Sequence, residues 1–198
     1  ISAPLLLAGL TALPALADGR SPTSGDLRVN EFRIARLPAP DLSAALPADA
    51  QKDGLTLDWL MAQSAPAGDA EWQCLTEALY FEARGESLEG QIAVAEVILN
   101  RIDSPLYPST VCGVVKQRGG GGCQFSYVCD GKKRMREAGA ADLAGRIARA
   151  MLDGAPRLLT DGATHFHTRH VRPGWSKRFA HTASIGAHLF YRQPTPRS

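Results

Sequence analysis

Three acids, Glu82, Glu86 and Glu89, surround a glycine, Gly85, within the stretch Ala78–Asn100. Apolar residues recur at helical spacing on both sides, so the stretch reads as two helices meeting at a tight turn. Glu82 then falls in the last turn of the first helix, just after Tyr80 and Phe81. A carboxylate placed there among apolar neighbours is penalised in its charged form by desolvation and by the helix dipole. Both effects raise its pKa toward the range a general acid uses near neutral pH. Glu86 lies four residues on, but a helix break at Gly85 removes the usual i, i+4 geometry. It reads as a cap, a partner of Arg84 or Arg101, or a second carboxylate. Glu96 and Asp130 are further candidates for that second role.

The elements that must hold Glu82 follow from the spacing. From Trp72, apolar residues recur at Leu75, Leu79 and Ala83, with Asp69 as N-cap. Gly85 is placed as the left-handed glycine that ends this helix. Ser87 caps the next one, and Ile92, Ala95, Leu99 and Ile102 give it a core face that Val94, Val97 and Ile98 broaden. Asp103-Ser104-Pro105 stops it. Ser109 or Thr110 caps a short helix through Val115, and Gly119–Gly122 reads as a loop. Residues 140–153 form a third long helix, with Leu143, Ile147 and Met151 on one face. Gly162–Thr168 reads as a strand, and Ile185–Tyr191 as a second. The fold class is α+β: a mainly helical body with a small C-terminal β-hairpin or sheet.

The N-terminal part differs in kind. Residues 4–13 are apolar, and Ala15 and Ala17 fit an A-x-A-like cleavage site, so residues 1–17 read as a secretory signal peptide whose start lies upstream of Ile1. The apolar run is too short to span a bilayer, and no span is expected in the mature chain. Residues 18–68 are rich in Pro, Ala, Asp and Ser and read as a mostly irregular linker. Within it, Asp26–Ile34 is a possible short strand, and Leu55–Gln63 a helical turn or two packed on the domain at residues 69–198. Export makes the four cysteines, Cys74, Cys112, Cys123 and Cys129, candidates for two disulfides among three connectivities. The net charge of +2 is too balanced to argue for a nucleic-acid partner.

The motif Tyr80-Phe81-Glu82-Ala83-Arg84-Gly85-Glu86, with Glu89-Gly90-Gln91, Ala93-Val94-Ala95 and Leu99-Asn100-Arg101 downstream, resembles the spore cortex-lytic enzyme type of cell wall hydrolase. PSTVCGVV, CQFSYVCDG, GATHFH, Trp175 and Ile185–Phe190 follow in order, so the resemblance covers about residues 69–192. It implies a lysozyme-like fold related to lytic transglycosylases, acting on peptidoglycan glycan strands in the periplasm or cell envelope, with no cofactor and no metal. The first Glu of the motif, Glu82, maps onto the catalytic acid. The implied reaction cleaves between N-acetylmuramic acid and N-acetylglucosamine and closes a 1,6-anhydro ring. That route needs one essential carboxylate, whereas a muramidase needs two. The cysteines and the glycine run depart from the spore enzymes' pattern and fit an envelope enzyme of a non-sporulating bacterium.

Other side chains are assigned around that reaction. Tyr80, Phe125, Tyr127, Phe166 and Trp175 offer ring faces to pyranose CH surfaces. Trp175, in a Pro-Gly turn, is the foremost exposed platform, while Phe81, Phe166 and Phe190 suit the core. Gln124 and Ser126 suit hydrogen bonds to acetamido groups. His165 and His167 share one strand face, where one of them lines the glycan cleft near Glu82 or is a satisfied structural histidine, or both, with His170, His181 or a cysteine, form a zinc site. The zinc arrangement would make the chain an amidase or peptidase, and a non-catalytic wall-binding module is the remaining alternative.

Overall fold

The computed structural model describes residues 54–119, 122–131 and 134–195. The signal peptide at residues 1–17 and the strand at Asp26–Ile34 lie outside the described residues. Among the described residues there are six α-helices: α1 (Leu57–Ala62), α2 (Ala70–Ala83), α3 (Leu88–Ile102), α4 (Val111–Val115), α5 (Ser126–Cys129) and α6 (Ala138–Leu152). A minimal hairpin pairs β1 (Arg118–Gly119) with β2 (Gly122–Cys123), and β3 (His165–Thr168), β4 (Ala180–Ile185) and β5 (His188–Arg192) form an antiparallel sheet in the order β3-β5-β4. No helix among the described residues is long and apolar enough to cross a membrane.

Helix α3 is the centre. Residues Gly90 to Leu99 are all buried, because apolar or small side chains occupy nearly every position around the helix. One face packs through Ile92, Val94, Ala95 and Ile98 into the helical core with α2 and α6. The other packs through Ala93 and Val97 onto Ala163 and Phe190 beneath the three-stranded sheet. Each fully buried Ile or Val there contributes about 1.5–3 kcal/mol relative to exposure. The helical layer and the sheet are therefore held by opposite faces of one helix.

The caps follow the sequence. Asp69 accepts from the Glu71 and Trp72 amides, Ser87 Oγ from Gly90 N, and Thr110 Oγ1 from Gly113 N. Glu71 adds a long-range cap, its carboxylate accepting from Val111 N at 2.5 Å at the start of α4. The disulfide Cys74–Cys112 joins the same two helices, and Cys123–Cys129 closes a loop around α5.

The helical turn or two expected at Leu55–Gln63 is α1, packed on the domain: Leu60 is fully buried, and Arg146 Nη1 donates to the Leu60 and Gln63 carbonyls. Two expectations change. The expected strand at Ile185–Tyr191 spans a turn, with β4 ending at Ile185 and β5 starting at His188. Gly85 is not in the left-handed region, since Arg84 ends α2 in a right-handed conformation and Glu86 N donates to Ala83 O at 2.9 Å.

Candidate active site

Glu82 is the penultimate residue of α2 and is half-buried. Burial raises its pKa above the ordinary carboxylate range. Its carboxylate has no hydrogen-bond or ion-pair partner among the described residues. Arg84, two residues on in sequence, is engaged elsewhere, bonding Glu137 at 3.0 Å and lying over the Tyr80 ring. The acid thus keeps its proton to higher pH than an exposed glutamate does, and it is free to meet a ligand.

The ring next to it, Phe81, stacks on Tyr127 with centroids 4.6 Å apart. Tyr127 sits on α5, inside the loop closed by Cys123–Cys129. Its hydroxyl is buried without a partner among the described residues. Its pKa is raised, first by burial and then by the negative charges of Glu77 and Glu82. The phenol therefore lies within electrostatic reach of the proposed acid, and it stays protonated as a donor.

Two of the other carboxylates, Glu86 and Glu96, are committed. Glu86 is mostly buried, with Oε2 accepting from Ala187 N at 3.0 Å in the β4–β5 turn. It pairs with neither Arg84 nor Arg101. Its Oε1 lies 3.6 Å from His188 Nδ1, but burial lowers the pKa of that imidazole despite the opposing effect of Glu86. The contact is therefore between a carboxylate and a neutral ring. Gly186, at φ 56°, leaves the space that the Glu86 carboxylate fills, for a Cβ there would collide with it. Glu96 is fully buried and accepts from Leu159 N, Thr160 N and Thr160 Oγ1. Asp130 is exposed at the end of α5.

The remaining sequence candidates divide. Tyr80 is buried, and its hydroxyl accepts from Arg136 N and Glu137 N, so no ring face is open to a sugar. Phe125 is also buried, beneath the Arg101 guanidinium at 5.9 Å. Gln124 and Ser126 flank it and are exposed. His165, His167 and Trp175 come together on one face of the sheet, Trp175 lying 4.8 Å from His165 and 5.5 Å from His167. Trp175 is half-buried and also packs against Phe179 and Tyr191, so it is part of a cluster rather than a free-standing platform. All four cysteine sulfurs are in disulfides, which removes them as metal donors.

Two roles were not apparent from spacing. Arg101 is fully buried, donates from Nε to Thr164 O at 2.6 Å, and lies over the Tyr107 ring at 5.3 Å. Burial lowers its pKa to about 10, against the opposing effect of Tyr107. Burial first, and then the Arg101 charge, lower His165 to about 4, so His165 is a neutral imidazole. Glu77, one helical turn before Phe81, is the other missed residue. Its i, i+4 relation to Phe81 was the available signal.

The comparisons agree with this architecture. Over 146 residues the chain is 36% identical to the spore cortex-lytic enzyme of Halalkalibacterium halodurans, covering 72% of this chain and 41% of that protein. With the Bacillus subtilis spore cortex-lytic enzyme it shares 42% identity over 78 residues, 24% of that protein. The chain thus spans less than half the length of these relatives. The solved catalytic domain of the germination-specific lytic transglycosylase SleB from Bacillus anthracis superposes with a TM-score of 0.51 at 30% identity, over 64% of this chain and 97% of that domain. The SleB catalytic domain from Bacillus cereus gives 0.52 at 29% identity. The likeness carries the expected lysozyme-like α+β fold. The family profile described as Cell Wall Hydrolase matches residues 85–191, more than half of the chain and starting three residues after Glu82, and the chain belongs to that family.

Proposed function

We propose that the protein is an exported lytic transglycosylase that cleaves peptidoglycan glycan strands between N-acetylmuramic acid and N-acetylglucosamine, with Glu82 as general acid and then base. One observation carries this reading. Glu82 is unpaired among the described residues with its pKa raised by burial, while Glu86 and Glu96 are committed to the protein's own amides. With Glu86 and Glu96 so held, anhydro-ring closure by Glu82 suits the site better than hydrolysis that pairs Glu82 with either of them. The relationship to a domain titled as a lytic transglycosylase supports the same reading.

In the proposed reaction the Glu82 carboxylic acid donates its proton to the glycosidic oxygen as the muramic C1–O bond breaks. The resulting carboxylate accepts the proton of the muramic C6 hydroxyl, whose oxygen bonds to C1 and closes the 1,6-anhydro ring. Glu82 ends protonated, ready for the next turnover. The two disulfides support a periplasmic or envelope location, where such bonds persist.

The test is digestion of purified peptidoglycan by the wild type and by Glu82→Gln, with products read by mass spectrometry. Anhydro-muropeptides from the wild type alone are expected. Reducing ends would replace the transglycosylase with a muramidase. Released stem peptides with intact glycan would remove the glycosidase reading altogether.

A further inference from the structure

A groove of about 510 Å3 runs beside α2 and is lined in part by Tyr127, whose ring stacks on Phe81. Gln73, Cys74 and Glu77 of α2 line it together with Lys116 and Arg118. Lys116 and Arg118 form no ion pair among the described residues, and Glu77 bonds only the side chain of Gln73, at 3.3 Å. The Tyr127 hydroxyl, on a side chain 5% exposed, has no partner in the protein. Two free cations and one free acid are a poor match for a glycan, whose sugar rings are mostly neutral.

We infer that this groove binds the peptide stem carried by the muramic acid residue at the scissile bond, its cations meeting the stem carboxylates and Glu77 meeting a stem amine. The inference rests on the glycan-cleaving reading above and adds a second recognition element to it. The dimensions agree. Seven helical steps from Ala70 to Glu77 span about 10 Å at 1.5 Å per residue. An extended peptide at about 3.3 Å per residue fills that length with three amino acids. The stem branches from the lactyl group of the very sugar whose C1 must reach Glu82. Tyr127 lines the groove and its ring stacks on Phe81, the residue before Glu82, so a stem in the groove would leave the glycan near the acid.

The test uses the full chain carrying Glu82→Gln, titrated calorimetrically with a soluble disaccharide-tetrapeptide and with the same disaccharide lacking the peptide. The peptide-bearing ligand is expected to bind at least tenfold more tightly. Adding Lys116→Gln and Arg118→Gln is expected to shrink that difference to threefold or less, with the melting temperature unchanged. Equal binding of the two ligands before those substitutions, or a tenfold difference that survives them, overturns the inference. The glycan-cleaving reading is judged separately, on wild-type digestion of intact and of stem-stripped glycan. A binding difference without cleavage would retain the groove and reject the reaction. Cleavage of both substrates at one rate, with no binding difference, would retain the reaction and reject the groove.

Discussion

The carboxylate of Glu86 occupies the space that a Cβ on Gly186 would fill. One hundred residues apart, the two close a joint between the α2–α3 turn and the β4–β5 turn, with Ala187 N donating to Glu86 Oε2 at 3.0 Å. Gly186→Ala has to place a side chain at φ 56° and displace the carboxylate, so a loss of about 2–4 kcal/mol is expected in chemical denaturation. Gly85→Ala, in open space and outside the left-handed region, is expected to change stability by no more than about 0.5 kcal/mol. Equal effects would mean that Gly186 is not the constrained glycine.

Glu82→Gln is expected to lower turnover of glycan by about a thousandfold or more, the scale of a lost general acid and base. The same substitution carries a stability signature. The folded pKa of Glu82 is raised, so between the unfolded value and the folded one the native state binds more protons, and stability falls as pH rises. Above the folded pKa the charged carboxylate is a net cost. Glu82→Gln is therefore expected to raise the melting temperature at pH 7.5 and to leave it nearly unchanged at pH 4. In the wild type, activity should decline as pH rises through that same pKa. A melting temperature unaffected at both pH values would contradict the burial effect.

His165 is expected to titrate at about 4, followed by the ring carbon shifts in NMR. Its folded pKa is depressed below 6.5, so the unfolded chain binds the extra proton first. The stability that His165 contributes is present above about 6.5 and is lost as pH falls toward 4. A midpoint above 6 would show that neither burial nor Arg101 depresses this ring.

The two disulfides are expected to behave differently. Cys74–Cys112 closes a segment with a sequence separation of 38, and replacing both cysteines by Ala should cost about 4 kcal/mol by the chain-entropy scale. Cys123–Cys129 spans only 6, for which the same scale gives about 2 kcal/mol. Because it holds the turn of helix that carries Tyr127, its loss should cut activity more than its stability cost suggests. Activity assays well below each variant's melting temperature separate the two effects.

The helices were legible because α2, α3 and α6 each carry a sustained apolar period and explicit caps at Asp69 and Ser87. Glu82 was legible for the same reason, since its place at the end of α2 follows from that period. Strand β4 was not, because Ala180–Ile185 is built of small and polar residues and gains its place only by pairing with β5. The role of Glu86 was also out of reach, because its partner amide lies 101 residues away. Tyr80 and Phe125 misled for a physical reason: an aromatic beside a catalytic motif serves the core or the substrate equally well until burial is known.

Helix α4 has five residues, too few to hold together as an isolated helix in water. It takes its first cap from Glu71 and its covalent anchor from Cys74, both on α2. This end of the groove is therefore a dependent structure, borrowed from a neighbouring helix rather than encoded in its own five residues. Amide exchange at Val114 and Val115 should then report the integrity of α2 and its disulfide more faithfully than the helical propensity of Val111–Val115, so the chain carries an internal gauge of whether its groove is assembled.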